Sequence, residues 1–351
     1  MPARFPPMSH RLVTLLIAGV CVLAGLVVAA LVPVPYVALT PGPTLNTLGS
    51  PGGKPIIQIV GHRTYATTGN LNLVTVSYTG GPGSGFNIFS ALRAWLTPDD
   101  AVVPASEIYS AGQTQQQVVQ QDTQQMLGSQ QDATAAALCY LNISFKTVDR
   151  VSTTVKATPA AGALQPGDVI IAVDGQQVNC HHDVVNMIRN RKPGATVTIT
   201  IDRGGATKTI SLPTKNVSGQ AVVGIQLAPP KYQFPFTVKI NLKDIGGPSA
   251  GLMFALGIID KLSPGNITAG RFVAGTGEIA PTGAVEPIGG IQQKLAGARA
   301  AGATVFLTPA ANCPNTAGAV PSGLRVVKVS SLAGAISELR ALENGQAVPT
   351  C

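Results

Sequence analysis

Histidine is scarce in this chain: there are 4 among 351 residues, and none lies beyond His182. A histidine-dependent catalytic triad with its histidine downstream of the nucleophile is therefore excluded in the C-terminal half. No His-Glu-x-x-His and no Cys-x-x-Cys occurs, so no metal is expected. No Gly-x-x-x-x-Gly-Lys-Ser/Thr occurs either. The glycines of Gly80–Gly85 read as a turn rather than a phosphate cradle, and no cofactor is expected. The Ser-x-x-Lys tetrad of penicillin-binding enzymes is also missing. Charge is sparse at 11% of residues, and the net +8 is spread without a Lys/Arg cluster among aromatics. Nucleic acid is not an expected partner.

What is abundant is apolar sequence. Leu12 to Val32 carries no charged side chain, and as a helix rising ~1.5 Å per residue it would be ~30 Å long, enough to cross a bilayer. Arg4 and Arg11 precede it, and the first carboxylate of the chain is Asp99. Because positive flanks stay cytoplasmic, the expectation is a single-pass cell-membrane protein, its N-terminus cytoplasmic and its body extracytoplasmic. A cleaved signal peptide is the rival, with Ala29-Ala30 as small residues, but the run is long for a signal core. Residues 12–32 thus nominate the lipid bilayer as a partner. Of the five cysteines, Cys21 lies in this span, and Cys139, Cys180, Cys313 and Cys351 form an even set beyond it. Three pairings are open, of which 139 with 180 and 313 with 351 is the simplest.

The densest chemistry begins at Gly246-Gly247-Pro248-Ser249-Ala250-Gly251. It opens a stretch, Ala250–Leu262, that is apolar all round and so reads as a buried helix. A serine among small residues at a helix start admits close substrate approach. Backbone amides near Gly246 and Gly247 are candidate oxyanion donors there. A simple helix cap is the plain alternative. Downstream, Ile291, Leu295 and Ala298 form an apolar stripe with Lys294 at its edge. A lysine so placed loses hydration, which lowers its pKa and makes a neutral base; a snorkelling surface lysine is the alternative. The order His181 or His182, Asp202, Ser249 is formally compatible with a chymotrypsin-like triad.

Gly247–Gly251, then Thr276-Gly277-Glu278-Ile279, then Pro287-Ile288-Gly289-Gly290 followed four residues on by Lys294, together resemble the proteolytic domain of Lon proteases over roughly residues 235–335. The resemblance implies an α+β domain and a serine–lysine dyad. Ser249 would be the nucleophile and Lys294 the general base, with Thr276 a supporting hydroxyl. Many Lon enzymes carry an aspartate three residues before the serine; here that position is Gly246, with Asp244 two places earlier. Lon enzymes also carry an ATPase motor, for which this sequence has no phosphate loop, so action without ATP is expected. Lon domains often assemble in rings, which makes a homo-oligomer a candidate.

Residues 137–215 resemble a bacterial PDZ domain. The resemblance rests on Thr158-Pro159-Ala160-Ala161-Gly162-Ala163-Leu164-Gln165-Pro166-Gly167-Asp168-Val169-Ile170 and Ala172-Val173-Asp174-Gly175. It implies an extended peptide added as a strand beside the helix Asp183–Arg191. Leu141 and Ile143 would border one side of that groove, and Val184 and Ile188 the other.

The expected fold is α+β. It has an N-terminus and transmembrane helix (1–35), membrane-proximal strands and a Gln-rich helical segment (36–136), a mostly-β PDZ-like domain (137–215) and a Lon-type α+β proteolytic domain (216–351). Residues 33–54, rich in Pro and Gly, read as a linker; Gln113–Gln131 reads as a polar helix, with disorder as the alternative. Gln220–Leu227 and Phe234–Leu242 introduce the final region. The expected function is an ATP-independent, membrane-anchored extracytoplasmic serine endopeptidase acting on protein or peptide substrates that the PDZ domain recruits. The alternative is a non-catalytic membrane-tethered PDZ adaptor with a relic Lon-like domain.

Overall fold

The computed structural model describes residues 10–180, 182–242 and 245–351; Arg4, His181 and Asp244 lie outside them. In chain order the helices are α1 (His10–Leu31), α2 (Ile88–Leu96), α3 (Ala105–Ile108), α4 (Gln115–Tyr140), α5 (Val184–Arg189), α6 (Gly251–Leu262), α7 (Ile291–Ala300) and α8 (Leu332–Glu343). The 22 residues of α1 bury none of their side chains. It is the one helix among the described residues long and apolar enough to cross a membrane.

A six-stranded sheet forms the main body, in the order Arg325–Val329, Val305–Pro309, Phe272–Gly275, Asn70–Gly80, Tyr36–Asn46, Ala101–Pro104. The first four are parallel, and the last two add antiparallel. Strands from both ends of the sequence therefore share one sheet. The stretch expected to be a linker contains one of them. Val37, Ala38 and Leu39 are buried, and a register shift between Pro41 and Thr44 absorbs the Pro-Gly-Pro that suggested a loop. Alternation along Val305–Pro309 sends Val305 and Leu307 to one face and Phe306 to the other, so both faces are apolar. The helices α4, α6 and α8 cover the first face, and α7 covers the second.

The Gln-rich stretch is helical. Thr114 and Gln117 close a capping box at the start of α4, and Ala133–Leu138 anchors its far half in the core beside α6. All of α6 is buried except Lys261; fully burying each of its large apolar side chains contributes about 1.5–3 kcal/mol.

A second sheet, ordered Ile225–Leu227, Lys146–Thr154, Val169–Val173, Thr196–Arg203, Ala206–Pro213, encloses its own core around Val151, Ile170, Val173 and Ile199. Buried Asp168 takes two hydrogen bonds from Arg203, at 2.7 and 2.8 Å, which hold its carboxyl below the usual range. This core also takes in Val223 and Ile225, so Gln220–Leu227 packs with the second sheet rather than opening the final region. Tyr232 then donates to Asp132 on α4 at 2.8 Å, and the Cys139–Cys180 disulfide joins the end of α4 to the loop before α5. Cys313–Cys351 is the other disulfide, and Cys21 is an exposed thiol on α1.

Candidate active site

Where the strand Phe272–Gly275 ends, the chain turns past the start of α6, and α7 approaches from the opposite face of the sheet. Strand ends between helical layers are where α/β folds commonly place ligands. Two residues after that strand grip the serine loop. Gly277 N–H donates to the Ser249 carbonyl at 2.8 Å, and Leu252 N–H donates back to the Gly277 carbonyl at 3.0 Å. Thr276 Oγ1 donates to the same Ser249 carbonyl at 2.9 Å. Lys294 completes the cluster: Nζ lies 2.8 Å from Ser249 Oγ and 2.9 Å from Thr276 Oγ1.

Lys294 gets there because α7 sits unusually close to the sheet. The residue before its first turn, Gly290, has φ 65°, and a Cβ there would lie 2.7 Å from Val76 Cγ2. Ile291, Leu295 and Ala298 then insert beside Phe306, carrying Lys294 inside the boundary of that stripe to 3% exposure. A snorkelling surface lysine is thereby excluded. Burial pushes its ammonium down to about 7, and no carboxylate pairs with it among the described residues. The Thr276 hydroxyl hydrogen is committed to the Ser249 carbonyl, so Thr276 presents only lone pairs to Nζ. The amine must donate there. In its neutral form that leaves a lone pair free for the Ser249 hydroxyl proton.

Of the two glycines expected to supply oxyanion donors, one has its amide engaged elsewhere. Gly247, at φ 81°, donates its amide to the Asp122 carbonyl at 3.1 Å. A Cβ on Gly246 would lie 2.6 Å from Asp122 Cβ, so that position packs against α4. The amides of Ser249 and Ala250, at the N-cap of α6, make no hydrogen bond among the described residues. The Gly246 amide likewise makes none, so these three are the donors free to meet an oxyanion, while Gly247 is committed to α4. Ser129 on α4 donates to the Pro248 carbonyl at 2.8 Å, so α4 holds the loop at two points, two turns apart on one face. Sequence reasoning missed this. The available signal was the stripe Asp122, Met126, Ser129, Ala133 at steps of four, three and four, running through the glutamine run and just past its end.

Ser249 and Lys294 line a cleft of about 680 Å³ that is also bordered by Tyr78, Tyr109, Val118, Asp122 and Glu278. Burial raises the carboxyls of Asp122 and Glu278, the latter also under repulsion from Glu286 and Asp132. The histidine alternative does not assemble: Ser249 Oγ meets Lys294, while the Asp202 carboxylate accepts from the Gly205 amide in the second sheet's turn.

The four residues expected to line a peptide groove separate into two places. Leu141 and Ile143 pack on the main core, because they directly follow α4, whose end is buried there. Val184 and Ile188 lie inside the second core beside Val223 and Ile225. Ile225–Leu227, whose Ile225 packs on the same core, is a terminal strand of its sheet.

Comparison with known proteins agrees with both regions. Residues 139–214 match the PDZ domain family, and residues 242–339 match the Lon protease (S16) C-terminal proteolytic domain. The Lon protease of Roseiflexus castenholzii is 44% identical over 69 residues, covering 20% of this chain and 8% of that protein. Lon protease 2 of Thermus thermophilus is 39% identical over 79 residues, covering 22% of this chain and 10% of that protein. The match thus spans about a tenth of the length of these relatives. Among solved structures, the PDZ domain of an SdrC-like protein from Listeria monocytogenes is 26% identical with a TM-score of 0.21, covering 22% of this chain and 85% of that one. The corresponding Listeria innocua domain is 28% identical with a TM-score of 0.22, covering 23% and 92%. The chain carries a PDZ domain followed by a Lon-type C-terminal proteolytic domain, whose matched span contains Ser249, Thr276 and Lys294.

Proposed function

We propose that this chain is a membrane-anchored serine endopeptidase that cleaves extracytoplasmic protein segments without ATP, using Ser249 as nucleophile and Lys294 as general base. The observation that carries the reading is the 2.8 Å contact between Nζ and Oγ, made by a buried lysine with no carboxylate partner among the described residues. Neutral Lys294 takes the Ser249 proton as Oγ attacks the peptide carbonyl. Thr276 keeps the amine aimed by accepting one of its hydrogens. The amides of Ser249 and Ala250 receive the developing oxyanion. Lys294, now an ammonium, returns the proton to the leaving amine. It then deprotonates the water that hydrolyses the acyl ester.

The anchor is supported by the length of α1 and the absence of any buried residue in it, the extracytoplasmic body by Arg11 at its start and by two disulfides. The absence of a phosphate-loop motif from the sequence supports action without ATP. The PDZ domain would recruit extended chain along the Ile225–Leu227 edge by strand addition.

The test uses full-length protein in detergent with an electrophilic serine probe and an unfolded protein substrate. Labelling should map to Ser249 and vanish in both Ser249→Ala and Lys294→Ala, with cleavage falling at least about 10³-fold. Cleavage that survives Ser249→Ala in protease-free material refutes the reading. Peptide binding with neither labelling nor cleavage would instead make the chain an adaptor.

A further inference from the structure

Helix α2 is amphipathic in the reverse of the usual sense. Its small residues Ala91 and Ala94 face inward against Ala38 and Phe86, while Ile88, Phe89, Leu92, Trp95 and Leu96 are all exposed. At 100° per residue these five fall within about 120° of one another, a single continuous outer face. Trp95 is 72% exposed and Leu96 68%. A soluble surface rarely leaves so many large apolar side chains together in water.

Its placement says what covers that face. Asn87 caps α2 by accepting from the Ser90 amide at 3.0 Å, and the same side chain donates to the Ala30 carbonyl, in the last turn of α1, at 2.8 Å. Val34 N–H also donates to the Phe86 carbonyl at 2.8 Å. The start of α2 is thereby fixed to the end of α1. If α1 crosses the bilayer, its last turn emerges at the lipid–water boundary, and α2 lies there too. Tryptophan is favoured at that depth, and Arg93, on the flank of the apolar arc, is suited to lipid phosphates.

We infer that α2 lies in the bilayer surface at the end of α1, with Ile88, Phe89, Leu92, Trp95 and Leu96 inserted among the lipid chains, as a second membrane contact. The inference rests on reading α1 as a bilayer span. One consequence concerns the cleft: Gly80, which lines it, packs on Tyr36 and Phe86, so one end of the cleft lies beside the start of α2.

Trp95 is the chain's single tryptophan, so its emission reports this face alone. Full-length protein is reconstituted in vesicles of equal parts phosphatidylcholine and phosphatidylglycerol, with acyl chains plain or brominated near their midpoints. Brominated chains should remove most of the Trp95 emission, and aqueous iodide little of it. Leu92→Glu, at a position that does not line the cleft, should restore iodide quenching with peptide cleavage unchanged. Strong iodide quenching without bromine quenching in the parent protein overturns the inference. Protection from both quenchers also overturns it, since the face would then be covered by protein, for instance a second copy. A carbonate wash separates the two readings. Protein that stays in the vesicles with a wet Trp95 refutes only the α2 contact, whereas protein that washes free refutes the α1 span and the α2 contact together.

Discussion

Lowering the pH from about 8 to about 5 should silence the peptidase by protonating one amine, Lys294. Burial brings that amine to about 7, from an ordinary 10.5. At pH 7 about half the molecules then hold the neutral base, against about one in three thousand for a lysine at its ordinary value. Because the folded value is depressed, the competent neutral form is present above about pH 7 and is lost as pH falls through it. The expected kcat/KM therefore drops about tenfold per pH unit below 7 and is level above about pH 8. Stability follows the same proton. The unfolded chain keeps its lysine charged up to about 10.5, so folding becomes more favourable as pH rises from about 7 to about 10.5. That interval corresponds to about 5 kcal/mol of burial cost at neutral pH. Lys294→Met should recover part of it, about 1–3 kcal/mol after the loss of two hydrogen bonds, with the advantage shrinking toward pH 10. The assay is initial-rate cleavage of a fluorogenic peptide by full-length protein at constant ionic strength, with urea unfolding of both variants in parallel. A flat profile would mean that no proton on Lys294 limits cleavage and that it is not the base, whereas an inflection above about pH 9 would mean that burial does not bring its amine down to about 7. Lys294→Arg, whose guanidinium stays protonated, should be inactive throughout.

Thr276→Val keeps the shape but removes the hydroxyl that accepts from Nζ. Losing one buried hydrogen bond, about 1–3 kcal/mol, should lower kcat about 10–100-fold with little change in KM. It should also shift the pH limb downward, because an acceptor that favours the ammonium is gone. Gly246→Ala drives a Cβ to 2.6 Å from Asp122 Cβ; separation of α4 from the serine loop should reduce cleavage more than tenfold while calorimetry records a folded protein. Replacing Cys313 and Cys351 by serine opens a 38-residue separation; it should destabilise the proteolytic layer by about 3–4 kcal/mol in denaturant unfolding, leaving the pH limb in place.

Local patterns in the sequence carried several conclusions without help. An uninterrupted apolar run specifies α1, since length and absence of charge suffice. The Gly-Pro-Ser-Ala-Gly turn and the four-residue step from Gly290 to Lys294 carry the resemblance that nominates Ser249 and Lys294, and the Gly167-Asp168 turn belongs to the one that marks the PDZ region. All are short-range signals. Tertiary structure alone decided what those groups meet. Lys294 looked the same at a surface or in a core, and only the close seating of α7 against Val76 buried it. Pro41-Gly42-Pro43 resembled a linker, because a bulge is visible only against its partner strand. The glutamine run lacked apolar periodicity overall, yet it supplies Ser129, which grips Pro248 across 119 residues of chain. The peptide-groove residues divided between two cores because Leu141 and Ile143 follow a helix whose burial is fixed by α6. The outward face of α2 was invisible for a similar reason: apolar periodicity does not say which side the sheet takes, and here it takes the alanines. Periodicity says that a helix has an apolar side, and only packing says whether protein or lipid receives it.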